Sequence, residues 1–139
     1  MGSRRKGREA ALRILYFMDV SNVSGTQAIR SYWGHLSNEE GPTEDVDFAN
    51  QLVRAYADQK EEVDQIIRSS SHHWRIERMP IVDRNVLRVA IVELREMSDI
   101  PKRVTLNEAV ELAKRFGSEG SGAFVNGVLD RVATELGKS

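Results

Sequence analysis

Residues 86–97 read VLRVAIVELREM, and this stretch decides the fold class. Its apolar residues recur at intervals of one and three positions, which places them on one face of an α-helix. The apolar residues on this face are Val86, Leu87, Ala90, Ile91, Leu94 and Met97. The next four residues read SDIP, and this polar segment with its proline predicts the end of the helix.

The same helical spacing recurs along most of the chain. Apolar stripes of this kind run through residues 10–18, 28–36, 46–67, 106–116 and 124–136. No useful length of sequence alternates apolar and polar residues with the period of two that a half-buried strand requires. The three prolines lie outside the stripes, as expected for helices. The sequence therefore predicts an all-α fold, a compact bundle of about six to seven helices.

Two interruptions of the stripes predict how the chain is divided. Lys60 stands where the middle stripe needs an apolar residue, so either one long helix bends there or two short helices meet. The serine run at residues 69–71 predicts a joint between two packed helical halves, about 1–70 and 71–139. Because 139 residues is close to the commonest size of a domain, we expect one domain over residues 1–139.

Local signals predict two helix starts. Thr105 and Glu108 have the spacing of a capping box, in which the hydroxyl and the carboxylate each satisfy a backbone amide. Ser121 is expected to cap the last helix from the segment 117–122, although unpaired amides at such a helix start also suit a phosphate. Gly127 inside that helix costs about 1 kcal/mol relative to alanine, which predicts close approach of a neighbouring helix or a ligand backbone.

The composition excludes several function classes. The chain has no cysteine, so it holds no disulfide, thiolate zinc site, iron–sulfur cluster or cysteine nucleophile. No stretch approaches the roughly 18 to 20 consecutive apolar residues of a membrane span. We therefore expect a cytoplasmic protein with no membrane interaction.

The sequence offers no recognisable catalytic or metal site. The P-loop, G-x-S-x-G and H-E-x-x-H motifs are absent. His72 and His73 are adjacent, so on a helix they point about 100 degrees apart and do not present two nitrogens to one metal. We interpret them, and His35, as solvated polar residues. The chain is therefore expected to have no catalytic residue and no cofactor, and not to be an enzyme.

The formal net charge of −1 conceals a basic N-terminus. The first thirteen residues contain one acid, Glu9, and the basic residues Arg4, Arg5, Lys6, Arg8 and Arg13. Such a cluster neutralises phosphates and releases counterions, although a frayed, solvated terminus is the alternative interpretation. Tyr16 favours RNA, because an aromatic ring beside guanidinium groups can stack on an unpaired base. Packing at the edge of the core is the alternative for this tyrosine.

Four segments, in the right order and spacing, resemble the NusB family of bacterial transcription antitermination factors. They are RRKGREAA at 4–11; VDRNVLRVA at 82–90 with Glu93 and Leu94; Ile100, Pro101 and Val104 leading into NEAVELAK at 107–114 with Phe116 and Gly117; and Ser121 followed by FVNGVLD at 124–130. Together they run from the N-terminus nearly to the end of the chain. The region between residues 20 and 75 is much less diagnostic.

This resemblance implies a function. Family members bind the single-stranded boxA element of nascent ribosomal RNA together with ribosomal protein NusE, in a complex that joins RNA polymerase and suppresses termination. The family's RNA contacts correspond to Arg4, Arg5, Lys6, Arg8, Tyr16, Ser121, Phe124 and Asn126. The protein partner is expected at Asp83, Arg84, Val86 and Leu87.

The sequence departs from the family pattern at one relevant position and leaves two alternative functions open. Many relatives carry a lysine just before the phenylalanine, and Ala123 stands there instead, so one phosphate contact is expected to be missing. The resemblance leaves open whether the chain forms a homodimer. One alternative is the similar RNA-binding domain of ribosomal RNA cytosine methyltransferases, for which this chain lacks the length and the cysteine. A helical adaptor that binds only protein is the other, and it leaves the basic cluster unexplained.

Overall fold

The computed structural model describes residues 2–36, 43–72 and 74–137. Within these residues it contains seven α-helices and no strand, so the predicted all-α fold is confirmed. The helices are α1 (Gly2–Ser21), α2 (Gly25–Ser31), α3 (Thr43–Asp58), α4 (Lys60–Ser70), α5 (Ile81–Glu96), α6 (Lys102–Phe116) and α7 (Ser121–Glu135). A π-helical turn, Tyr32–Leu36, continues α2, and a 3-10 turn, Ile76–Arg78, precedes α5.

The chain forms two compact units, Met1–Asp58 and Gln59–Ser139. The backbone leaves helical geometry at Gln59, with φ −121° and ψ 24°, so α3 ends and α4 begins there. The structure therefore has two short helices that meet next to Lys60, and not one long bent helix. The serine run at residues 69–71 lies inside the second unit, where it ends α4. The prediction of a single domain over the whole chain stays a prediction.

The first unit has its core between α1, α2 and α3, which contact one another pairwise. Ile14 and Leu15 of α1 are fully buried, as are Leu52 and Val53 of α3. Each such side chain removed from water stabilises the fold by about 1.5–3 kcal/mol. The N-cap of α2 is Ser24, whose hydroxyl accepts a hydrogen bond from the Gln27 amide at 3.1 Å.

The second unit is built around α5, which packs against α4, α6 and α7. Every residue of α5 from 85 to 94 is buried, including Arg88 and Glu93. A buried charge requires a partner, because the loss of hydration is otherwise uncompensated. Arg88 has one in the Asp64 carboxylate of α4, and the Asn85 side chain accepts a further hydrogen bond from Arg88 Nη1 at 3.0 Å. Arg88, within the apolar segment 86–97, therefore stabilises the fold by joining α5 to α4.

The predicted capping box at Thr105 and Glu108 is wrong. The helix α6 begins at Lys102 with Pro101 at the N-cap, so Thr105 lies one turn inside it. The Thr105 hydroxyl instead donates a hydrogen bond to Glu93 Oε2 of α5 at 2.5 Å, and both residues are buried. The hydroxyl therefore stabilises the packing of two helices by satisfying a carboxylate inside the unit.

Candidate nucleic-acid interface

Four residues of the basic cluster, Arg4, Arg5, Lys6 and Arg8, lie on the first turns of α1, which is helical from Gly2 onward. The fifth, Arg13, lies further along the same helix. Arg4, Arg5 and Lys6 are exposed to solvent, whereas Arg8 is only 5% exposed. The structure thus places the cluster on a regular helix. The four cations are also not equivalent, because three of them face solvent and the fourth is buried.

Phe48 of α3 holds two of these arginines in place. The guanidinium carbons of Arg4 and Arg8 lie 5.1 Å and 5.5 Å from the centroid of its ring. Arg4 and Arg8 are one helical turn apart, so both side chains can reach the same ring. Cation–π contacts contribute about 0.5–1 kcal/mol at exposed sites and about 2 kcal/mol when desolvated. Arg8 and Phe48 are both buried. The Phe48 ring therefore orients the guanidinium groups of Arg4 and Arg8.

The position of the cluster concentrates positive potential at one end of α1. The amide groups of the first turn carry the positive end of the helix dipole, and no acid stands in that turn of α1 to offset it. Cations at this end are unfavourable for the helix by about 0.3–1 kcal/mol each at low ionic strength. A phosphate group bound there would interact favourably with the side chains and with the dipole together.

Tyr16 is on the same face of α1 as Arg5. The two residues are eleven positions apart, close to three full turns, which separates them by about 16 Å along the helix axis. The Tyr16 side chain is 41% exposed, so its ring is accessible to a ligand. A cation and an aromatic ring aligned on one helix face are the groups that contact the backbone and a base of single-stranded RNA.

The turn between α6 and α7 positions the second group of predicted RNA residues. A Cβ atom at Gly117 would lie 2.6 Å from Ser121 Oγ and 2.7 Å from the Ala113 carbonyl oxygen, so glycine is required there. The N-cap residue of α7 is Gly120, with φ 91°, so the predicted cap at Ser121 is wrong. Ser121 is 2% exposed, and its hydroxyl accepts a hydrogen bond from the Ser118 amide at 3.0 Å. The role of Ser121 in this turn is therefore to hold the loop.

Phe124 and Asn126 lie in the first turns of α7. Asn126 is exposed, and Phe124 is half-buried. Gly127 is also exposed, and a Cβ atom there would have no neighbour within 4 Å among the described residues. The predicted close approach of a neighbouring helix at Gly127 is therefore wrong. Of the two reasons given for a glycine inside this helix, close approach of a ligand backbone remains.

Trp74 is a residue that the sequence analysis missed. It precedes the 3-10 turn Ile76–Arg78, and its ring meets the ring of Phe124 edge to face, with centroids 4.9 Å apart and an interplanar angle of 81°. The tryptophan belongs to no apolar stripe, so helical periodicity gave no reason to single it out. The available signal was its setting, a large aromatic residue in the otherwise polar and basic segment HHWR at residues 72–75.

The residues predicted to meet a protein partner are mostly inside the second unit. Val86 and Leu87 are fully buried on α5, so their side chains contribute to the core. Asp83 is 4% exposed, and its Oδ1 atom is buried without a hydrogen-bond partner among the described residues. Arg84 is half-buried and donates hydrogen bonds through Nη1 to the carbonyl oxygens of Ile76 and Glu77, both at 3.3 Å. Of these four residues, Arg84 is the most accessible.

The described part of the chain contains no group of three histidine, aspartate or glutamate side chains that could hold a metal ion. His72 is exposed and has a positive φ of 58°. His73 and the side chain of His35 lie outside the described residues. None of the helices in the described ranges is both long enough and apolar enough to span a membrane.

The chain is similar to known proteins over almost its whole length. Residues 5–134 match the sequence model of the NusB family. The chain is 49% identical to the transcription antitermination protein NusB of Myxococcus xanthus, over 99% of both chains. It is 46% identical to the protein of the same name from Sorangium cellulosum, over 99% of this chain and 96% of that one.

Two solved structures have a similar fold. NusB from T. maritima matches with a TM-score of 0.86 and 35% identity, over 95% of this chain and 91% of that chain. A structure of the antitermination factors NusB and NusE in complex with double-stranded RNA matches with a TM-score of 0.82 and 26% identity, over 97% of this chain and 98% of that chain.

Proposed function

The chain belongs to the NusB family, and we propose that it is a transcription antitermination factor that binds the boxA element of nascent ribosomal RNA together with NusE. In this proposal the complex joins RNA polymerase and suppresses termination. The observation that carries the RNA-binding part is the position of Arg4, Arg5 and Lys6, which are exposed at the positive end of the α1 dipole.

The proposed mechanism of RNA binding combines phosphate and base contacts. The cations of α1 neutralise phosphates and release their counterions, which supplies affinity without sequence preference. Tyr16 on α1 and Phe124 on α7 supply rings on which unpaired bases stack, and Asn126 supplies an amide for hydrogen bonds to a base edge. Three exposed cations make the affinity of the isolated protein modest and sensitive to salt.

NusE is proposed to bind at the surface near Asp83 and Arg84. Arg84 supports this, because it is half-buried and is therefore the most accessible of the four residues predicted to meet the partner. The structure of NusB and NusE with RNA is that of a protein with the same fold and 26% identity, which also supports a shared assembly. A partner that contacts the same RNA raises the affinity of both proteins by linkage.

The first experiment measures binding to a single-stranded boxA RNA and to a scrambled RNA of equal length, over a salt series, with and without NusE. A preference for boxA that NusE increases is the expected result. Equal and weak binding to both RNAs, unaffected by NusE, would overturn the specific proposal. Absence of binding even at low salt would favour the adaptor that binds only protein.

The contribution of the α1 cations is tested with a matched pair of double variants. Arg5→Ala with Lys6→Ala is expected to weaken RNA binding about tenfold and to reduce the slope of log affinity against log salt by up to about 1.4, since each single-strand phosphate contact contributes about 0.7. Arg54→Ala with Arg103→Ala removes the same charge from exposed positions on α3 and α6. If both double variants lose affinity equally, net charge and not the α1 cluster is responsible.

The NusE surface is tested with Asp83→Asn, which keeps the shape of the side chain and removes its charge. The variant is expected to weaken NusE binding while RNA binding by the isolated protein stays unchanged. Unaltered NusE affinity in a folded variant would exclude Asp83 from that interface.

The last step of the proposal, the suppression of termination, is tested by measuring readthrough by RNA polymerase on a boxA template. Sedimentation of the free protein determines whether it forms a homodimer.

A further inference from the structure

Trp74 and Phe124 form an aromatic pair on the surface of the second unit. The Trp74 side chain is 44% exposed, although tryptophan is the largest apolar residue in the chain. Its indole N–H donates to none of the described residues, and its backbone amide is bonded to the Ser71 carbonyl oxygen at 3.2 Å. The backbone is thus anchored while much of the ring stays in water, an arrangement that burial in a core does not explain.

The geometry of the pair leaves π surface available. In an edge-to-face contact with an interplanar angle of 81°, one ring presents an edge to the other, so the pair does not cover both faces of both rings. Phe124 is itself fixed in the first turn of α7, where its amide donates to the Gly120 carbonyl oxygen at 3.0 Å. The tryptophan is therefore held against a rigid support, which lowers the entropy cost of binding a planar ligand.

The surroundings of the pair suit a nucleotide. Gly127 and Arg131 follow Phe124 at three and seven positions along the same side of α7. Gly127 has no side chain to cover the neighbouring surface, and a Cβ there would meet no atom within 4 Å in the described part of the chain. Arg131 Nη1 donates to the Ser70 carbonyl oxygen at 2.7 Å, which holds its guanidinium beside the end of α4, close in sequence to Trp74. An exposed arginine so fixed is placed to contact a phosphate.

We propose that Trp74 stacks on an unpaired base of the bound RNA and that the Trp74 and Phe124 rings together form a base-binding platform, with Arg131 on the adjoining phosphate. This inference rests on the proposed RNA-binding function and adds to it a residue outside the family's RNA contacts given above. The segment HHWRIER at residues 72–78, with two arginines, two histidines and one glutamate, favours a polyanion over a protein surface as the occupant.

The test compares the RNA affinity of Trp74→Ala, Trp74→Phe and a control, Leu136→Ala, which truncates an exposed apolar side chain of the same unit. Trp74→Ala is expected to weaken binding of single-stranded boxA RNA about tenfold with an unchanged salt slope, because stacking involves no counterion release. Trp74→Phe keeps a ring and is expected to lose less than about threefold. The control should bind like the unaltered protein, and thermal melting establishes that each variant is folded.

Tryptophan fluorescence gives a second readout. The chain has two tryptophans, and Trp33→Phe leaves Trp74 as the only one. RNA is expected to quench its emission, whereas NusE alone is not. Quenching by NusE alone, or a Trp74→Ala variant that binds RNA normally, would overturn the inference while the effect of Arg5→Ala with Lys6→Ala still supports the proposed function. If the unaltered protein binds no RNA, the proposed function and the platform are both wrong.

Discussion

Arg88 binds both carboxylate oxygens of Asp64, through Nε to Oδ1 at 3.0 Å and through Nη2 to Oδ2 at 3.1 Å. The arginine side chain is 9% exposed and the aspartate side chain 8%, so the pair connects α5 to α4 inside the second unit. A two-point contact fixes both the distance and the orientation of the two groups.

Breaking this pair is expected to destabilise the protein strongly. Asp64→Ala leaves the Arg88 charge buried without its carboxylate, which should lower the free energy of unfolding by about 3–5 kcal/mol in urea denaturation. Glu62→Ala is the control, because Glu62 pairs with Arg95 at 3.2 Å from a largely exposed position. That substitution should cost less than about 1 kcal/mol. An equal loss of unfolding free energy in the two variants would show that burial does not make the pair of Arg88 and Asp64 more important for stability than the exposed pair.

A second prediction concerns the hydroxyl of Thr105. Thr105→Val keeps the shape and removes the donor to Glu93 Oε2, so it should lower the free energy of unfolding by about 1.5–3 kcal/mol. Thr105→Ser keeps the hydroxyl and should lose less, and the difference between the two variants isolates the hydrogen bond. A Thr105→Val variant as stable as the unaltered protein would show that the Glu93 carboxylate is satisfied without Thr105.

Thr105 shows which kind of contact a sequence pattern does not predict. The apolar stripes predicted the helices, because burial on one face imposes the helical period on the sequence itself. The capping box failed because a threonine and a glutamate three positions apart have the same spacing inside a helix as at its start. Pro101 takes the N-cap position, and the partner of Thr105 is a residue on a different helix. Such tertiary partners leave no local pattern.

The candidate site was predictable to a similar extent. Charge clustering identified the cations of α1, since their proximity in the sequence becomes proximity on a helix. It did not distinguish buried Arg8 from its exposed neighbours, because that difference depends on how the other helices of the first unit pack against α1. Trp74 was missed for the same reason, since its contact with Phe124 joins residues fifty positions apart.

Gly117, in the turn between α6 and α7, and Gly127, inside α7, are expected to respond oppositely to alanine. Gly127→Ala should raise the free energy of unfolding by up to about 1 kcal/mol, because the added methyl group meets no atom of the described residues and alanine favours the helix more than glycine does. Gly117→Ala should lower it by about 1–3 kcal/mol, because its methyl group would collide with Ser121 and with the backbone of α6. Thermal or urea unfolding of both variants checks the signs. Destabilisation by Gly127→Ala would mean that another group covers this surface in solution.

Ala123 allows a gain-of-function prediction. The residue is exposed on the first turn of α7, beside Phe124. Ala123→Lys adds a cation next to one of the proposed base-stacking rings, so it should raise RNA affinity a few fold and increase the salt slope by about 0.7. Thr134→Lys places the same charge near the other end of α7, at another exposed position, and is the control. An equal gain in both variants would show that added charge acts without regard to position.

The start of α1 has a consequence for local stability. Like charges beside the positive end of a dipole lower the free energy needed to open the first turns, so these turns are less stable than the core-facing middle of the same helix. An anion that binds the closed helix and not the open one raises that opening free energy by mass action. Ligand binding at the proposed site and the local folding of α1 are therefore expected to be thermodynamically linked. Exchange of the amide hydrogens just beyond the first turn, which are bonded within the helix, is expected to report occupancy of that site.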